Sequence, residues 1–138
     1  MARTIDVYQR EDLKFVQTPP TSDVWSKEYE EWEKEALSRS LFGADLGSEG
    51  NVREYWSAPA CGLGLELLSS VYGKGFDEGI RWSGSSLSTL KHELLILEEE
   101  WGRMELTPAA RSDLLERLQA LRQAIDVAIA NDAVVSIA

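Results

Sequence analysis

The sequence predicts an α+β, mostly helical domain. It has four main helices, the last two an antiparallel pair, with a small sheet made from an N-terminal hairpin and a C-terminal strand. Three observations carry this. First, Leu87, Leu90, Leu94, Leu97 and Trp101 alternate steps of three and four, which places them on one helical face. Second, Leu114, Leu118, Leu121, Ile125 and Ala128 repeat the pattern after a short break, with Leu115 and Ile129 widening the stripe. Third, apolar residues alternate along Thr4–Tyr8, and Ala133–Ala138 forms a short apolar run, so a strand is expected at each end of the chain. A chain of 138 residues suits one domain, 1–138, around one core.

Taken in order, Gln9–Asp12 reads as a polar turn and Leu13–Gln17 as the strand returning from it. Pro19 and Pro20 then end any ladder. Ser22 or Asp23 is expected to cap a helix whose face carries Trp25, Tyr29, Trp32 and Ala36, closed by Leu41, Phe42 and Gly43. Asp45–Asn51, rich in Gly, Asp and Ser, reads as a flexible loop. Pro59 suits a first helical turn. The run through Leu63, Leu65, Leu67, Leu68 and Val71 reads as a short buried helix stopped at Gly73, with a turn over Tyr72–Gly75. Phe76–Trp82 is left as loop or short strand ahead of a cap at Ser83–Ser86, and Thr107-Pro108 restarts the chain with a cap and a first-turn proline.

Net charge is −10, from 24 acidic and 14 basic residues. Phosphate backbones and anionic membrane surfaces repel such a chain, which argues against nucleic acid or membrane as a partner; a basic protein would be steered in. No apolar run approaches the roughly 20 residues of a membrane span. One cysteine, Cys61, excludes an intramolecular disulfide and points to a reducing cytoplasm.

Chemical motifs fail one by one. His92-Glu93 opens like the zinc signature H-E-x-x-H, but position 96 is Ile, and no other Cys/His set supplies a metal site. Gly62-Leu-Gly64 lacks the third glycine of a dinucleotide fingerprint, and Gly73-Lys-Gly75 is too short for a phosphate loop. Asp45–Trp56 ends without the glutamate a calcium loop needs. No catalytic residue, metal or cofactor is therefore expected.

What remains is contact chemistry. Glu98, Glu99 and Glu100 crowd a helix C-terminus, where the macrodipole favours cations, and a partner surface is one reason for them to be there. Asp45 and Glu49 add charge in the expected loop. Trp25 and Trp32 read as core or, if their face is only partly covered, as a binding hot spot. Ile80-Arg-Trp-Ser-Gly84, then Leu90, Glu93-Leu94 and Leu97, then a long helix ending in a short apolar strand, resembles small bacterial immunity-type proteins. That resemblance covers roughly the C-terminal half. It implies a cytoplasmic, non-enzymatic inhibitor that binds and occludes a toxin-like partner, with no catalytic residues; the net charge is what points to a basic partner. A small enzyme or ligand-binding domain with a pocket between helices is the alternative, as is a structural subunit that dimerises through the leucine stripe; the chain is expected to be a monomer or homodimer.

Overall fold

The computed structural model describes residues 2–77 and 79–138. It is an α+β fold, mostly helical, with a small antiparallel sheet. Strand β1 (Ala2–Tyr8) lies inside the sheet, between β2 (Phe42–Ser48) and β4 (Val134–Ile137); β3 (Ile80–Trp82) closes the far edge, giving the order β2-β1-β4-β3. Alternation along the strands decides which face is buried. Ile5 sits opposite Ala44 and Ile137, and Val7 opposite Phe42 and Val135. Ile80 and Trp82 continue this apolar face, while Thr4, Asp6, Gly43, Arg81 and Ser136 fall on the other.

Helices α6 (Ser85–Arg103) and α7 (Pro108–Asn131) supply the rest of the core, with α7 running against β2 and β1. The two stripes expected from the spacing are all buried, from Leu87 to Trp101 on α6 and from Leu114 to Ala128 on α7. Ile129 is half exposed and lies off the stripe. The leucine stripe is thus used up inside this chain's own core and is not available as a dimer surface. Thr107 Oγ1 accepts the Ala110 N–H at 3.1 Å, with Pro108 in the first turn. Asp132, in the left-handed region at φ 49°, stops the helix just before β4.

Several local expectations are corrected. Leu13–Gln17 is not the returning strand but a short helix, α1, following a 3₁₀ turn at Arg10–Asp12. It is held by long-range contacts: the Phe15 ring takes the Arg39 guanidinium at 3.9 Å, and Asp12 pairs with Arg39 at 3.2 Å. The seat beside β1 goes instead to β2, in a stretch expected to be flexible loop. Phe42, Ala44 and Leu46 alternate onto the core, and Ser48 Oγ then caps a single helical turn, α3 (Glu49–Asn51). Helix α2 (Lys27–Ser38) begins later than expected, with Ser26 at the cap, and ends before Leu41.

A π-helix (Val52–Ser57) and α4 (Ala58–Gly62) bring Trp56 edge-on to Trp101, centroids 5.0 Å apart, and place Pro59 in the first turn of α4. The apolar run then breaks at Gly64, whose φ of +73° suits glycine. It resumes as α5 (Glu66–Asp77), which buries Leu68 and Val71 and passes straight through the turn expected at Tyr72–Gly75. Gly84, not a serine, occupies the α6 cap position, and no side chain caps that end. Glu93, on α6, is buried and caps α5 instead: its carboxylate accepts the Leu68 N–H at 2.9 Å and the Leu67 N–H at 3.3 Å. Among the described residues no helix is long and apolar enough to cross a membrane.

Candidate functional site

Thr18–Ser26 connects α1 to α2 through nested turns. Thr21 Oγ1 accepts the Asp23 N–H at 3.2 Å, Asp23 Oδ1 accepts the Trp25 N–H at 3.1 Å, and Ser26 Oγ accepts the Tyr29 N–H at 3.1 Å. The first two are side-chain turns that satisfy backbone donors of the connection, and the third caps a donor in the first turn of α2. Trp25 therefore stands one residue ahead of the cap, outside the helix, and cannot share the face of Tyr29, Trp32 and Ala36. It is 93% exposed, which overturns its expected place in a core face. Trp32 is half-buried: its Nε1–H donates to the Phe15 carbonyl at 2.9 Å, and its ring meets Tyr29 at 5.1 Å. Of the aromatic face, only Ala36 is fully buried.

One residue further along, roughly 100° around the helix, Glu30, Glu33, Lys34 and Leu37 line a cavity of about 320 Å³ with Val24 and Trp25. Val24 and Leu37 are 53% and 57% exposed. Lys34 is held to Glu30 at 3.4 Å, so among the described residues the cation on this wall is already paired. Leu37 also lines a second depression, of about 240 Å³, beside the β1–β2 pair with Thr4, Ile5, Asp6, Ala44 and Asp45. Ala44 and Asp45 in turn border a third, of about 280 Å³, against Asp113, Glu116 and Arg117 of α7.

Asp6 at the centre is electrostatically loaded. Burial raises its carboxyl above the ordinary 3.8, partly offset by hydrogen bonds from the Ser40 and Thr4 hydroxyls, the former at 3.0 Å. On the same strand face, burial and then the Asp6 charge push the Tyr8 phenol up to about 12.

No protein-family model, characterised protein or solved structure matches this chain. Its chemistry has to be read from these surfaces alone.

The residues singled out from the sequence fall in three places. Trp25 and Asp45 are linked through Leu37 along the adjoining depressions. Glu49 turns to the buried Arg3, 3.9 Å away. The acidic triplet splits up: Glu98 reaches Arg122 of α7 at 2.7 Å, Glu100 lies 3.4 Å from Arg103, and Glu99 is exposed. Arg103 thus supplies the cation a helix C-terminus favours. His92 is exposed on α6, its neighbour Glu93 turned inward as a cap. Among the described residues no three His, Cys, Asp or Glu side chains gather to hold a metal ion.

Sequence reasoning missed Leu37, Asp6, Asp113 and Glu116. Leu37 alone had a readable signal, an unexplained leucine at i+7 from Glu30 and i+3 from Lys34, the two members of an ion pair. What the arrangement offers is contact: an indole ring in water, aliphatic neighbours and carboxylates.

Proposed function

We propose that this protein is a non-enzymatic interaction module that binds and occludes a basic partner protein, in the manner of the immunity-type inhibitors its C-terminal half resembles. The observation that carries the reading is Trp25, 93% exposed with Val24 and Leu37 uncovered beside it. An indole buries about 150–250 Å² on docking, a gross gain of roughly 4–6 kcal/mol, and aromatic anchors of this kind dominate interface energetics. Net charge −10 supplies the steering, raising the encounter rate with a cationic surface at low salt. Occlusion follows if the partner's own active surface is the one covered.

The test is a photo-crosslinking amino acid in place of Trp25, expressed in the source cell, followed by purification of the captured protein. A single captured partner is expected, basic in net charge, whose activity falls when the purified protein is added. Trp25→Ala should weaken that association about thirtyfold, the loss typical of an aromatic anchor. A captured protein that binds Trp25→Ala as tightly as the native chain, or that keeps full activity in the complex, overturns the reading.

A further inference from the structure

The three depressions adjoin one another. Leu37 is a wall of the first and the second, and Ala44 with Asp45 a wall of the second and the third. Together they pass from Trp25, along α2, over the β1–β2 face and on to α7. Carboxylates predominate along this path. Glu30 and Glu33 lie at the first station, Asp6 and Asp45 at the second, Asp113 and Glu116 at the third.

The path's two cations are already engaged. Lys34 sits 3.4 Å from Glu30, and Arg117 sits 3.0 Å from Asp113 while also donating to the Asp45 carbonyl at 3.4 Å. Among the described residues, no ion pair is made by the carboxylates of Glu33, Asp45 or Glu116. The large exposed apolar side chains Val24, Trp25 and Leu37 stand at the first station. Gly43, paired with Asp6, keeps the middle low: a Cβ there would lie 3.6 Å from Asp6 Oδ1.

From this we infer that the groove takes one extended basic segment of the partner protein, an apolar residue seated against Trp25 and Leu37 and Lys or Arg side chains laid over Asp45 and Glu116. The inference rests on the partner-binding reading above and specifies how the partner is held. A second copy of this chain is a poor occupant, because two chains of charge −10 would bring like-charged walls together. Nucleic acid is repelled for the same reason. A basic peptide turns every uncompensated carboxylate along the path into an attraction, and fixes direction because the apolar anchor lies at one end only.

The experiment pans a displayed library of random short peptides against the full chain at about 0.15 M salt. The most enriched peptide is then titrated against the native protein, Trp25→Ala, the pair Asp45→Asn with Glu116→Gln, and Gly43→Leu. All four positions are off the core, and circular dichroism verifies folding of each variant. Enriched peptides should be rich in Lys and Arg around one large apolar residue. Trp25→Ala should cost about thirtyfold in affinity. The paired neutralisation should lower affinity roughly tenfold and flatten its salt dependence, and Gly43→Leu should weaken binding by filling the middle of the path.

Failure to enrich any peptide, enrichment of peptides without positive charge, or equal binding by the neutralised and Gly43→Leu proteins would overturn the inference. The partner captured at position 25 separates the two readings. If it loses affinity for Trp25→Ala but not for the other variants, the interaction module stands and the extended groove falls.

Discussion

Two stretches of this chain carry apolar residues at the same three-and-four spacing, and they end in opposite environments. On α6, Leu87, Leu90, Leu94, Leu97 and Trp101 are each no more than 2% exposed; from Trp25 to Ala36, only Ala36 is buried. Both have the period of a helix, but only one has a neighbour that completes it. The α6 stripe meets a second stripe of equal length on α7, the helix that lies against the sheet, and packs as well on α5 and α4. The α2 stripe is touched by the short α1, where Trp32 donates to the Phe15 carbonyl, and is flanked on its other side by Glu30, Glu33 and Lys34. Periodicity predicts a helix in both cases. Burial depends on whether something apolar lies opposite, which is a property of the whole fold.

The sharpest way to break this comparison is to truncate both stripes. Leu94→Ala and Leu121→Ala remove fully buried side chains and should each cost about 2–5 kcal/mol in urea denaturation. Trp25→Ala should change stability by no more than about 0.5 kcal/mol. Equal losses in the two regions would mean the α2 face is core after all.

A smaller effect is expected at Glu93. Its carboxylate satisfies two N–H groups at the start of α5, and Glu93→Ala should cost about 1.5–3 kcal/mol, with Glu93→Gln recovering part of that. A midpoint unchanged by Glu93→Ala would show that α5 is held by packing alone.

The split triplet gives smaller effects of opposite sign. Glu98→Gln weakens a half-buried pair with Arg122 and should cost up to about 1 kcal/mol. Glu99→Gln removes an exposed charge opposed by the helix dipole and should stabilise by about 0.3–1 kcal/mol. Thermal midpoints that move the same way in both variants would contradict this division.

At Asp6 the expected effect is a change of slope with pH. Its folded carboxyl is raised above 3.8, so the folded state holds the proton more tightly and stability falls as pH climbs from 3.8 through the raised value. Asp6→Asn should remove that fall. By removing the neighbouring charge it should also bring the Tyr8 phenol down from about 12, read by ultraviolet titration. An unaltered pH profile would mean the carboxylate is better solvated than its surroundings indicate.

Much of the fold was legible because its signals are local. The α6 and α7 stripes, the Thr107-Pro108 start, β1 and β4 can each be read from a few adjacent residues. Strand β2 could not. Its sequence, Phe-Gly-Ala-Asp-Leu-Gly-Ser, hides three alternating apolar residues among types that favour turns, and it became a strand because β1 needed a partner. Helix α1 was misread because five residues cannot distinguish the two periods, and contacts with Arg39 and Trp32 decide the matter. The start of α2 was displaced because Asp23 and Ser26 are both good caps; choosing the later one moved Trp25 from the helix face into water. Of the groove, Trp25 and Asp45 were visible as residue types. Their connection through Leu37, and the addition of Asp6 and Glu116, depend on bringing α2, the sheet and α7 together.

The most direct measurement of the central claim is a pair of numbers from one variant. Trp25→Ala should leave the urea midpoint where it is in the native chain while weakening the captured partner about thirtyfold. A midpoint that drops as far as that of Leu94→Ala, with partner affinity unchanged, would contradict it and return Trp25 to the core.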